Sequence, residues 1–159
     1  MDTLPPALVT AIIPTYRRPI LLQRAIRSVL NQTFQDFEII ITDDGSIDRS
    51  VEVIKTFSDP RIRLFRFNSN KGTCVTLNNC INESKGEYIA ILHSDDQFMP
   101  DKLEKQISIL DKNSKIGAVF SYVQIIDEEG RDFNDANHPY YHTFRQLNIY
   151  IIICMITRI

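Results

Sequence analysis

Unbroken apolar runs alternate along this chain with stretches in which apolar residues recur every three or four positions. Residues 9–13, 38–42, 62–67, 88–92 and 118–126 read as strands, and the last closes in a charged turn, DEEGR. Pro19 opens a helix with Leu22, Ala25, Ile26, Val29 and Leu30 on one face. A second helix runs through Val51, Ile54 and Phe57 and stops before Asp59-Pro60, with Ser46 or Asp48 as its cap. A third, over 75–84, turns Cys74, Leu77 and Ile81 inward, and a fourth begins at Pro100-Asp101 with Leu103, Ile107 and Leu110 as its stripe. Strand and helix in alternation predict an α/β fold, a mostly parallel open sheet flanked by helices. The 38–42 run is too continuously apolar to keep a wet face, which places it centrally.

Composition narrows the function classes. The 159 residues fit one domain with room for a core, and a formal net charge of −2 offers no basic stripe for nucleic acid. Three cysteines, Cys74, Cys80 and Cys154, lack metal-ligand spacing and suggest a reducing cytosol. The N-terminus shows no basic stretch followed by an apolar one, as a signal peptide would. Toward the end, IYIIICMI (149–156) is far shorter than the roughly 20 residues a spanning helix needs. It reads as a buried strand or helix, with a dimer contact, a membrane-surface contact or the cut edge of a longer protein as the other readings.

Two apolar runs end in adjacent carboxylates: EIIITDDG places Asp43 and Asp44 after one strand, and YIAILHSDD places Asp95 and Asp96 after another. Neighbouring carboxylates repel unless a cation or hydrogen-bond donors meet them. In open α/β sheets, ligands bind beyond the carboxyl ends of the strands, so both pairs would border one crevice if those strands are neighbours. Hard oxygen donors favour magnesium or manganese, which also bind substrate phosphates. Neither G-x-G-x-x-G nor a P-loop is present, which disfavours dinucleotide-dependent dehydrogenases and P-loop kinases.

TAIIPTYRRPILLQRAIRSVLNQTFQDFEIIITDDGSIDRS resembles the opening of the family-two glycosyltransferases, and PRIRLFRFNSNKG and NNCINESKGEYIAILHSDDQFMPDKLE continue the likeness over roughly residues 8–126. The resemblance implies the GT-A nucleotide-sugar-binding fold over 1–132, with 133–159 as a partial C-terminal segment of loop and apolar tail. It also implies inverting transfer of a sugar from a nucleoside diphosphate, UDP above all, to a hydroxyl of a glycan, lipid-linked or protein acceptor. Pro14, Thr15 and Tyr16 would line the base pocket. Asp44 would accept a hydrogen bond from the base, Asp43 would support its loop, and Lys71 would approach the nucleotide. Asp95 matches the second aspartate of the family's D-x-D element and would hold manganese or magnesium, with Asp96 assisting; His93 and Ser94 complete the nucleotide-binding set.

Two positions depart from the family's pattern. His93 stands where the family often has aspartate, either contacting ribose or phosphate or serving as a core residue. The family's carboxylate base is expected beyond the end of this chain, so no catalytic residue is assigned. Asp127, Glu128, Glu129, Asp132 and Asp135 read as a solvated turn. A truncated, catalytically incomplete nucleotide-sugar-binding module is therefore an alternative, and a phosphoacceptor receiver domain, suggested by the acidic pair, is another. The expected location is the cytosol, with the membrane surface as a peripheral setting, and the apolar tail would support a homodimer.

Overall fold

The computed structural model describes residues 7–121, 124, 126, 127, 129–131 and 156–158. Strands β1 (Val9–Thr15), β2 (Phe37–Asp43), β3 (Ile62–Arg66) and β4 (Tyr88–Ile91) alternate with helices α1 (Pro19–Leu30), α2 (Ser50–Lys55), α3 (Thr73–Glu83) and α4 (Lys102–Lys112), followed by β5 (Ala118–Val119) and β6 (Ile156–Arg158). The sheet order is β3-β2-β1-β4-β6-β5. The first four strands are parallel, and β6 runs antiparallel to both β4 and β5. A receiver domain has the order 2-1-3-4-5, so this topology removes that alternative.

Both faces of β1 and β2 are buried, which is why their sequences lack the polar alternation of a half-wet strand. Val9, Ala11 and Ile13 with Phe37, Ile39 and Ile41 pack against Leu22, Ile26, Val29, Leu103 and Ile107 on one side. Ile12, Ile40 and Ile89 meet Cys80 of α3 on the other. Because each such side chain contributes about 1.5–3 kcal/mol when fully buried, this three-layer core dominates the stability.

The amino end of the sheet carries a closed polar network. Glu38 accepts hydrogen bonds from the Thr10 hydroxyl (2.8 Å), the Lys85 N–H (2.8 Å) and the Arg63 guanidinium (3.2 Å). The Thr10 hydroxyl in turn accepts the Gly86 N–H at 2.9 Å. A side chain at Gly86 would collide with the Thr10 backbone nitrogen at 2.6 Å, so glycine is required there.

Three expectations need correction. The inner face of α3 is Thr76, Cys80 and, as expected, Leu77, while Cys74 is exposed and Ile81 largely so. A hydrogen-bond chain adds to that apolar contact: the Cys80 thiol donates to Thr42 (3.2 Å), and the Thr42 hydroxyl donates to Asn79 Oδ1 (2.9 Å). Helix α2 stops at Lys55, and Phe57 follows in a tighter turn whose N–H bonds to Ile54 O at 3.1 Å. Asp48 accepts the Ser50 N–H at 3.0 Å just outside α2, whereas Ser46 turns away to another partner. Among the described residues the last expected strand forms a ladder at Ala118–Val119, paired with β6. Tyr122, Val123 and Ile125 of that stretch lie outside the described residues, as do 133–155, where the proposed dimer contact falls.

Candidate functional site

Strand order reverses between β1 and β4: the chain builds outward through β2 and β3, then returns to the other side of β1. Such a switch point opens a crevice at the carboxyl ends of the strands. A cleft of about 650 Å³ lies there, within the roughly 300–1,000 Å³ range of small-molecule sites. Pro14, Thr15, Tyr16 and Arg18 line it from the end of β1, and Asp44 from β2. Thr73 and Thr76 belong to α3, and His93, Ser94, Asp95 and Asp96 follow β4.

At the end of β1, Thr15 is 3% exposed and its hydroxyl has no hydrogen-bond partner. The next residues turn sharply. Arg17 has φ 53°, a left-handed conformation that costs a non-glycine residue about 1–2 kcal/mol. Its N–H donates to the Ser46 hydroxyl at 2.9 Å, and its guanidinium lies 5.0 Å from the Tyr16 ring centroid, fixing that ring at the cleft. The strained turn delivers Arg18 to the cleft wall immediately before Pro19 starts α1.

The first acidic pair diverges. Asp43 is fully buried; its Oδ2 accepts the Ser46 N–H (3.1 Å) and pairs with Arg66 Nε (3.2 Å), while Oδ1 is unpartnered. Arg66 also donates to Ser46 O at 2.7 Å, clamping the turn. Asp44 instead accepts the backbone N–H groups of Lys71 (2.6 Å) and Gly72 (3.0 Å), at the start of α3. Separate donors thus relieve the repulsion. A carboxylate has about four acceptor positions, so Asp44 keeps capacity for a further donor from the cleft. Gly45, at φ 74°, brings the turn so close to the next loop that a Cβ would sit 2.6 Å from the Ser69 carbonyl carbon.

After β4, the Asp96 N–H closes a turn onto His93 O at 3.0 Å. Burial, and then the neighbouring Asp95 charge, push the Asp96 carboxyl above its usual range, with His93 and Arg18 opposing. Arg18 forms an ion pair with Asp95 across the cleft. Among the described residues no group of three or more His, Cys, Asp or Glu side chains forms a metal cage. Asp95 and Asp96 do present adjacent hard-oxygen donors of the kind that bind magnesium or manganese when water and substrate oxygens complete the shell. The donor set fits such a cation on those terms.

Of the residues expected from the sequence, all but Asp43 and Lys71 line the cleft. Asp43 lies beneath it, and Lys71 enters through its backbone, its side chain being exposed. Arg18, Thr73 and Thr76 were not anticipated. Arg18 had one legible signal, its place just after the Pro14-Thr15-Tyr16 run, but an arginine before a helix is ordinarily read as solvated.

This crevice, on a sheet of this order, marks an α/β fold of GT-A type. The chain matches Glycosyl transferase family 2 over residues 10–158 and belongs to that family. It is 42% identical over 132 residues to an uncharacterized glycosyltransferase of Rickettsia bellii, covering 82% of this chain and 19% of that protein. It is 36% identical over 120 residues to the Escherichia coli UDP-Glc:alpha-D-GlcNAc-diphosphoundecaprenol beta-1,3-glucosyltransferase WfgD, covering 76% of this chain and 47% of the relative. The chain therefore spans less than half the length of either. Among solved structures, the mannosyltransferase PcManGT of Pyrobaculum calidifontis, in complex with GDP-Man and Mn2+, superposes with a TM-score of 0.73 at 19% identity, over 96% of this chain and 45% of that one.

Proposed function

We propose that this chain binds a nucleoside-diphosphate sugar together with a divalent cation and, in its complete protein, transfers the sugar with inversion to an acceptor hydroxyl. One observation carries the reading: a single cleft at the switch point holds Asp44 and Tyr16 on one side and Asp95 and Asp96 on the other. The first group suits a base, whose N–H needs an acceptor and whose ring needs an aromatic neighbour. The second suits manganese or magnesium, which would carry charge developing on the departing diphosphate.

Uridine is the proposed base, in keeping with the UDP-Glc named for WfgD. The proposed acceptor is a glycan, lipid-linked or protein hydroxyl, and the proposed setting is the cytosol or the adjoining membrane surface. Among the described residues no helix is long and apolar enough to cross a membrane.

Calorimetric titration with UDP and with GDP, each with and without manganese, tests the reading on wild type and Asp95→Ala. UDP should bind, manganese should tighten it about tenfold or more, and Asp95→Ala should remove that gain. Absence of binding by either nucleotide in every condition would sink the proposal; GDP binding alone would correct the base. Release of UDP from a UDP-sugar then measures turnover separately from binding.

A further inference from the structure

Arg18 occupies an unusual position for a surface arginine. It lines the candidate donor cleft, and Asp95 is the one acceptor its guanidinium meets among the described residues. Neither partner is buried, their side chains being 47% and 45% exposed, so packing does not lock the pair. Its backbone placement is less free, because Arg17 beside it is held in a left-handed turn by the Ser46 hydroxyl. The protein thus keeps a strained turn that sets an exposed guanidinium against one of the two carboxylates that would hold a metal.

A guanidinium and a divalent cation compete for the same carboxylate oxygens. The guanidinium, unlike the metal, also has a planar fork that matches phosphate oxygens in bidentate geometry. We infer that Arg18 is an exchangeable counter-ion: it neutralises Asp95, and it moves to the donor's diphosphate once Asp95 engages a divalent cation. One residue then serves two carriers of negative charge in turn. This inference rests on the nucleotide-sugar reading only in its second half, since competition for Asp95 requires no nucleotide.

The test uses manganese alone and UDP alone as probes. Water-proton relaxation reads manganese affinity, and calorimetry reads UDP affinity, for wild type, Arg18→Gln, Arg18→Lys, Asp95→Asn and the Arg18→Gln/Asp95→Asn double variant. Arg18→Gln should tighten manganese binding about threefold or more by removing its competitor, with Arg18→Lys closer to wild type. Without metal, Asp95→Asn should strengthen UDP binding by about threefold or more, because Arg18 is released to the diphosphate. The gain should shrink in the double variant, which separates a freed arginine from the mere loss of a repelling carboxylate. Unchanged manganese affinity in Arg18→Gln would overturn the inference, as would an equal Asp95→Asn gain with and without Arg18. If Arg18→Gln tightens manganese but no variant binds UDP, the competition stands and the nucleotide-sugar reading fails.

Discussion

Thr10 and Glu38 are register partners on β1 and β2 at the amino end of the sheet, and Thr15 and Asp43 are register partners on the same strands at the carboxyl end. The chemistry of the pairs is alike, hydroxyl beside carboxylate, but their surroundings are not. At the amino end the hydroxyl donates to the carboxylate at 2.8 Å, and Lys85, Arg63 and Gly86 complete the network. At the carboxyl end Thr15 Oγ1 and Asp43 Oδ1 are both buried without a partner. Unpaired buried polar atoms cost about 1–3 kcal/mol each, so the protein tolerates at one end what it has eliminated at the other. The difference separates a region whose polar groups the chain pairs itself from one, at and beneath the cleft, where two buried polar atoms stay unpaired.

Glu38→Ala should give the largest effect on that contrast. Removing the carboxylate strands the Thr10 hydroxyl and the Lys85 N–H and leaves Arg63 only its Glu83 acceptors, and urea denaturation should show a loss of about 2–3 kcal/mol with an unchanged slope. UDP affinity of the folded variant should stay at the wild-type value. Paired hydroxyl deletions sharpen the comparison. Thr10→Val should cost about 1–2 kcal/mol, whereas Thr15→Val, which removes an unpaired buried hydroxyl, should leave stability unchanged or raise it by about 1 kcal/mol. Thr15→Val should nevertheless weaken UDP binding by about fivefold, corresponding to roughly one lost hydrogen bond. Equal destabilisation by the two valine variants would erase the distinction between the ends.

The smallest effect belongs to Asp59, whose carboxyl is held below its usual range chiefly by the Arg61 guanidinium, which donates at 2.8 Å. A depressed folded-state value means that the pair stabilises above the unfolded carboxyl value and that this contribution disappears as pH falls through the folded one. Asp59→Asn should cost about 0.5 kcal/mol at neutral pH, and the gap to wild type should close in acid. Its distance from the cleft makes it the control: UDP binding should not change.

The sheet was legible because continuous apolar runs and helical spacing report burial directly. Both acidic pairs were legible for a related reason, since adjacent carboxylates after a buried strand demand explanation. The inward face of α3 was legible only in Leu77, because Asn79 and Cys80 also meet the sheet through hydrogen bonds to Thr42, which hydrophobic periodicity does not register. Cys74 and Ile81, expected on that face, lie on the exposed side. Arg18 escaped because its partner stands 77 residues away in sequence, and only the return of β4 beside β1 brings them together. The divergence of Asp43 and Asp44 escaped too, since it depends on Arg66 and on the Lys71–Gly72 backbone.

The hold of Asp44 on the Lys71 and Gly72 amides has a practical consequence. Those two protons share a carboxylate with whatever donor reaches Asp44 from the cleft. Each would register occupancy as a displaced resonance in an amide spectrum, without any label on the ligand. Lys71 and Gly72 thus give the protein a native pair of reporters, positioned to show which nucleotides enter before any sugar has been identified.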